Sequence, residues 1–90
     1  MAYSHITAAA TTTVKTGAGR LNRILVNTTA AGTITIYDNT AGSGTVIGVM
    51  KASIVENSYL FNIPFNIGLT IVTAGASDLT VVYDEDKLLA

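Results

Sequence analysis

Short alternating runs of β-branched residues, cut at near-regular intervals by glycine, asparagine and aspartate, constrain this chain more than any other feature. Thr, Val and Ile are stiff at χ1 and suit a pleated surface. Stripes of helical period are hard to find among them. The pattern predicts strands over Ile6–Lys15, Arg20–Asn27, Gly32–Tyr37, Thr45–Lys51, Ser58–Ile63, Leu69–Thr73 and Asp78–Tyr83. The intervening TGAG, NTTAAG, DNTAGSG, NIPFNIG and TAGASD carry turn chemistry. Spacing of this kind suits an all-β sandwich or barrel. The expectation is an antiparallel β-sandwich, jelly-roll-like, of about seven short strands and no substantial helix.

The alternation also assigns faces. Ile34 and Ile36 oppose Thr33, Thr35 and Tyr37, and Leu79, Val81 and Tyr83 oppose Thr80 and Val82. Val46, Gly48 and Met50 share one face and Ile47 and Val49 the other. Leu21 and Leu25 flank Arg23, opposite Ile24 and Val26. Several strands are thus apolar on both faces, whereas an antiparallel sheet often leaves one face wet. A neighbouring subunit is the simplest cover, with Tyr37, Ile47, Val49 and Val82 expected at that interface.

The 90 residues bound the fold to a single domain, 1–90. The uncharged stretch 1–13 reads as an edge strand or an arm exchanged between subunits. Residues 84–90 read as a solvated acidic tail or as a docking arm carrying Leu88 and Leu89 to a partner. Pro64, the only proline, ends a strand or marks an edge. With no cysteine and one histidine, neither a disulfide nor a His/Cys zinc site can staple so small a core. Oligomerisation is the remaining common staple. Charged residues at 12% against 49% apolar agree with it.

The net charge of −1 leaves no basic footprint, so no nucleic-acid partner is expected. No apolar run is long enough for a membrane helix, and no membrane partner is expected. The N-terminal MAYSHITAAATTTVK lacks a basic region followed by an apolar core, so synthesis in the cytoplasm is expected.

The candidate chemistries are weak. KTGAGR and AGSG lack the Lys-Ser/Thr of a phosphate loop and the third glycine of a dinucleotide fingerprint, so both read as turns. Asp38-Asn39 lacks the further oxygens of a calcium loop and reads as an Asx-type turn, with Gly42 and Gly44 supplying positive φ. Lys15, Arg20 and Arg23 could meet an anion, but without aromatic companions they read as rim charges or as partners for carboxylates. Ser4-His5 neighbours would point apart in a strand, and Asp84, Glu85 and Asp86 lie near a terminus. The Asn27 glycosylation sequon has no secretion signal beside it. The chain is therefore expected to be no enzyme, with no catalytic residue, no metal and no cofactor.

Three segments carry a resemblance: GRLNRILVN, the TITIYDNTAGSGTVI hairpin and GLTIVTAGASDLTVVY. Over residues 14–84 the chain resembles small all-β structural proteins of tailed bacteriophages and prophages, of the head-decoration and head-fibre-like kind. The resemblance implies a virion component, such as a capsid decoration (cement) protein, a fibre base or a tail accessory part. Its partners would be its own copies, a homotrimer before a dimer, and the major capsid or another virion protein. It brings no catalytic residues. A second expectation is a phage-borne receptor- or carbohydrate-binding module using Tyr3, Tyr37, Tyr59 and Tyr83.

Overall fold

The computed structural model describes residues 2–85. Eight strands run through them: β1 (Ala2–Ile6), β2 (Thr11–Thr16), β3 (Gly19–Thr28), β4 (Ile34–Asp38), β5 (Thr45–Met50), β6 (Ser58–Phe65), β7 (Gly68–Thr73) and β8 (Asp78–Asp84). They form two four-stranded antiparallel sheets, the first in the order β1-β8-β3-β6 and the second in the order β2-β7-β4-β5. Only the β4–β5 connection stays within a sheet; every other one changes sheet.

The core is drawn from both sheets. Ile6, Leu21, Ile24, Val26, Phe65, Leu79 and Val81 come from the first, and Ile34, Ile36, Met50, Leu69 and Ile71 from the second. Each fully buried side chain of this size contributes about 1.5–3 kcal/mol. Phe65 is the largest of them, and its ring needs Gly19: a Cβ there would lie 2.6 Å from the ring and 2.6 Å from the Asp84 carbonyl oxygen.

The expected first strand, Ile6–Lys15, is two strands in different sheets. Its break falls at Ala8–Ala10, where no turn residue announces it. A distant side chain makes the corner. Thr73, 3% exposed, sets its hydroxyl 2.7 Å from the Ala8 carbonyl oxygen and accepts the Ala10 N–H at 3.0 Å. The stretch considered for an exchanged arm is therefore paired in place, Ala2–Ile6 along β8 of the same chain and Thr11–Thr16 along β7. Asp84, assigned to the tail, closes β8 and is buried. Pro64 lies in β6, an edge strand as expected.

Two bulges correct the faces. In β3 the pairing slips between Leu21 and Arg23 on both sides. Leu21 consequently joins Ile24 and Val26 in the core instead of sharing a face with Leu25. In β5, Ile36 pairs with Gly48 and Tyr37 with Val46, leaving Ile47 as the extra residue. Ile47 packs against the core, while Val46 and Val49 share the outer face at 47% and 62% exposure. A one-residue insertion reverses every side chain beyond it.

Candidate functional site

The glycine-rich loop between β4 and β5 closes a hairpin, as the sequence suggests, and then does more. Asp38 accepts the backbone N–H groups of Asn66 at 3.0 Å and Ile67 at 2.9 Å, with Gly68 at 3.4 Å, which fixes the β6–β7 turn to the end of β4. Asn39 accepts the Thr40 N–H at 2.8 Å and donates to the Ser43 carbonyl at 2.7 Å, so its side chain bridges the loop, although the accepted N–H is that of the next residue and not the second one on that an Asx turn uses. The fully buried Thr70 donates to the Asn39 carbonyl at 2.7 Å, and Thr13 donates to that of Thr40 at 3.2 Å. The loop thus lies across β2 and β7 on the outer face of the second sheet.

Of its glycines only Gly44 has positive φ, at 94°. Gly42 serves close approach instead: a Cβ there would stand 2.9 Å from Val72 and 3.2 Å from Thr11. Part of the two-sided apolarity of the sequence is therefore covered by the chain itself. The oxygens of Asp38 and Asn39 are engaged in holding the loop and its neighbouring turn.

The outer face of the first sheet differs. Its cross-strand rows read Tyr3–Val82–Arg23–Leu60 and His5–Thr80–Leu25–Ser58. Tyr3 and Leu60 are 72% and 69% exposed. Ala2, Tyr3, Leu25, Thr80 and Val82 line an open depression of about 450 Å³. Arg23 crosses this apolar strip, held by Asn22 at 3.1 Å and Ser58 at 3.4 Å. Arg20 donates to the backbone and side-chain oxygens of Asn62, both at 3.1 Å.

The other end of the strip is polar. The His5 ring nitrogen Nε2 lies 2.6 Å from Asp78 Oδ1. Asn27 donates to the same oxygen at 3.1 Å and to the Thr80 hydroxyl at 3.1 Å. The His5 and Asn27 hydrogen bonds favour the ionised carboxylate and hold Asp78 below its ordinary pKa. Ser4 cannot serve as a nucleophile for His5, since strand neighbours face opposite sides. The depression beside them is apolar, and its lining does not include His5.

The expected interface residues separate. Val82 lines the depression on the first sheet, Tyr37 and Val49 lie on the outer face of the second, and Ile47 packs on the core. Leu88 and Leu89 lie outside the described residues. The tyrosines do not form one platform: Tyr59 and Tyr83 pack on the core, and only Tyr3 stands at the depression. Lys15 is on the second sheet, away from Arg20 and Arg23 on the first. Among the described residues no group of three or more His, Cys, Asp or Glu could hold a metal ion. Nor is any helix there long and apolar enough to cross a membrane.

Sequence reasoning missed Leu25 and Leu60, the two exposed-face leucines of this strip. Alternation placed Leu25 correctly on the Arg23 face, opposite Ile24 and Val26, without marking it as an interface residue, and reading β6 one face at a time would have found Leu60. No family model matches this chain, and neither a curated protein nor a solved structure does.

Proposed function

We propose that the protein is a non-enzymatic structural component of a tailed-bacteriophage virion, made in the host cytoplasm. It acts as a capsid decoration or a head or tail accessory protein, assembled as a homo-oligomer on the major capsid or another virion protein. The observation that carries this reading is the group of outward apolar side chains Tyr3, Val82, Leu25 and Leu60 on the first sheet, crossed by Arg23 and flanked by the polar His5, Asn27 and Asp78. Such a face suits docking on a repeating protein shell, where many weak contacts add through multivalency.

We also read the two sheets as a jelly-roll sandwich. Support comes from the interleaved orders β1-β8-β3-β6 and β2-β7-β4-β5, which fit two Greek keys folded over one core. Viral capsid domains are among the users of that architecture.

The test is the composition of purified particles. The chain is expected at a fixed ratio to the major capsid protein, and Leu60→Lys and Val82→Lys variants are expected to be lost from particles while remaining folded. Absence of the chain from particles overturns the proposal. Tyr3, exposed at the rim of the depression, favours a second reading as a carbohydrate-binding module. That reading requires glycan-array binding that Tyr3→Ala abolishes and Tyr37→Ala does not.

A further inference from the structure

Two open sheets have four edge strands: β1 and β6 in the first, β2 and β5 in the second. Exposed edges invite pairing with another chain, and proteins usually blunt them with charge, proline, bulges or short length. β6 carries Pro64 and a positive-φ Asn62. β2 carries Lys15 and a register shift beside Val14. β1 is only five residues long and holds His5 against Asp78. β5, TVIGVM, has neither charge nor proline. It has a bulge, and that bulge permits self-pairing about the point between Ile47 and Gly48.

The ladder with β4 sets its faces. Val46 and Val49 pair with Tyr37 and Thr35 and point outward. Gly48 and Met50 pair with the buried Ile36 and Ile34 and point inward. Thr45, exposed at the strand end, pairs with Asp38, next after outward Tyr37, and so takes an inner-side place in the ladder, while Ile47 packs on the core. From Thr45 to Met50 the order is in, out, in, in, out, in. It reads the same in both directions.

Residues directly opposite in an antiparallel pair share a face. A regular strand cannot pair with its own copy about a point between two residues, because partners would then fall on opposite faces. The bulge removes that conflict. Among self-pairings, only the one centred between Ile47 and Gly48 matches all six residues.

We propose that β5 is a two-fold pairing edge for a second copy of this chain, with Val46 of each copy opposite Val49 of the other. The four valines then form one outward cluster, and Ile47 of each copy lies beside Gly48 of the other on the inner side. No like charges meet: β5 has none, and Lys51 faces Gly44 of the second copy. The contact is isologous and joins the two second sheets into one of eight strands. It goes beyond the virion reading and does not depend on it, since a dimer absent from particles would leave it intact.

Light scattering on the full chain at tens of micromolar tests it first. The expected mass is twice the 9.3 kDa of one chain. Val49→Lys is expected to shift it to a single chain with an unchanged circular dichroism spectrum. A monomeric or trimeric wild type overturns the proposal.

Cross-linking tests the register without relying on that variant. The chain has no cysteine, so Val46→Cys and Val49→Cys each introduce the only thiol. Directly opposed residues lie about 4.5–5.5 Å apart in Cα, within disulfide reach. An equimolar mixture of the two single variants is expected to give a covalent dimer on oxidation, and each alone little. Cross-linking of either variant to itself as readily as in the mixture overturns the proposal, as does no cross-linking at all.

Discussion

The outer faces of the two sheets are built from similar residues and end differently. Along β7 the outer positions Thr70 and Val72 lie under the β4–β5 loop, with Thr70 fully buried. Along β8 the outer positions Thr80 and Val82 line an open depression. An apolar outer face therefore does not by itself require another chain. On the second sheet a loop of the same chain supplies most of the cover over β2 and β7; on the first sheet no segment among the described residues does. Assembly arguments belong to the first outer face and to the β5 edge, and not to the whole surface.

The largest expected effect comes from releasing the cover. Asp38 accepts three neighbouring amide N–H groups and joins two loops, so Asp38→Ala leaves those donors without their carboxylate. Hydrogen bonds to charged groups contribute about 1.5–3 kcal/mol each, and partial solvation of this turn limits the total cost to about 2–3 kcal/mol. Urea unfolding is expected to show a lower midpoint by that amount. A change under about 0.5 kcal/mol, the usual range of a surface substitution, would mean that the loop is held by other contacts and that the contrast between the sheets is overstated.

Matched charge substitutions on the two faces sharpen the contrast next. Val72 sits beneath Gly42, whereas Leu60 is 69% exposed. Val72→Lys must displace the loop or strain against it, at about 1–3 kcal/mol. Leu60→Lys meets solvent and is expected within about 0.5 kcal/mol of the wild type. Equal costs at the two positions would break the comparison. Dye binding to exposed apolar surface gives a second measure: it should rise for Gly42→Val, whose side chain cannot fit against Val72, and fall for Leu60→Lys.

Much of this was legible in sequence, and the exceptions share a cause. Strand positions such as Asp78–Tyr83 and Leu69–Thr73 came within a residue of β8 and β7, because β-branched alternation and turn residues are local signals. The β4–β5 hairpin was legible for the same reason. Faces were lost where a bulge intervened, since alternation assumes a period of two and nothing in RLNR or TVIG marks an inserted residue. The β1–β2 break was lost because its cause is Thr73, remote in sequence. The loop over the second sheet was lost because its fit depends on Gly42 meeting Val72, a contact that exists only after folding. Of the surface strip, the faces of Val82 and Leu25 were legible from alternation, whereas Leu21 was expected beside Leu25 and lies in the core.

The smallest effect tests the polar end of the open face. His5, Asn27 and Asp78 meet on exposed strands, so solvent screens their interaction and its contribution to stability is minor. Its sign is nevertheless fixed. The folded protein holds the Asp78 carboxyl below its ordinary value, chiefly through the His5 hydrogen bond and then through Asn27. Unfolded, the group titrates near 3.9, so the extra stability is present above about pH 4 and is lost as pH falls through the folded value. Asp78→Asn removes the titrating group and with it that increment. Urea midpoints measured between about pH 5 and pH 2 should therefore converge for the two proteins at the acid end. Added salt should narrow their separation at pH 5, because exposed charges are screened. Parallel curves across the whole range would show that the His5–Asp78 contact does not bias folding. The polar end would then act on the strip only by shape and solvation.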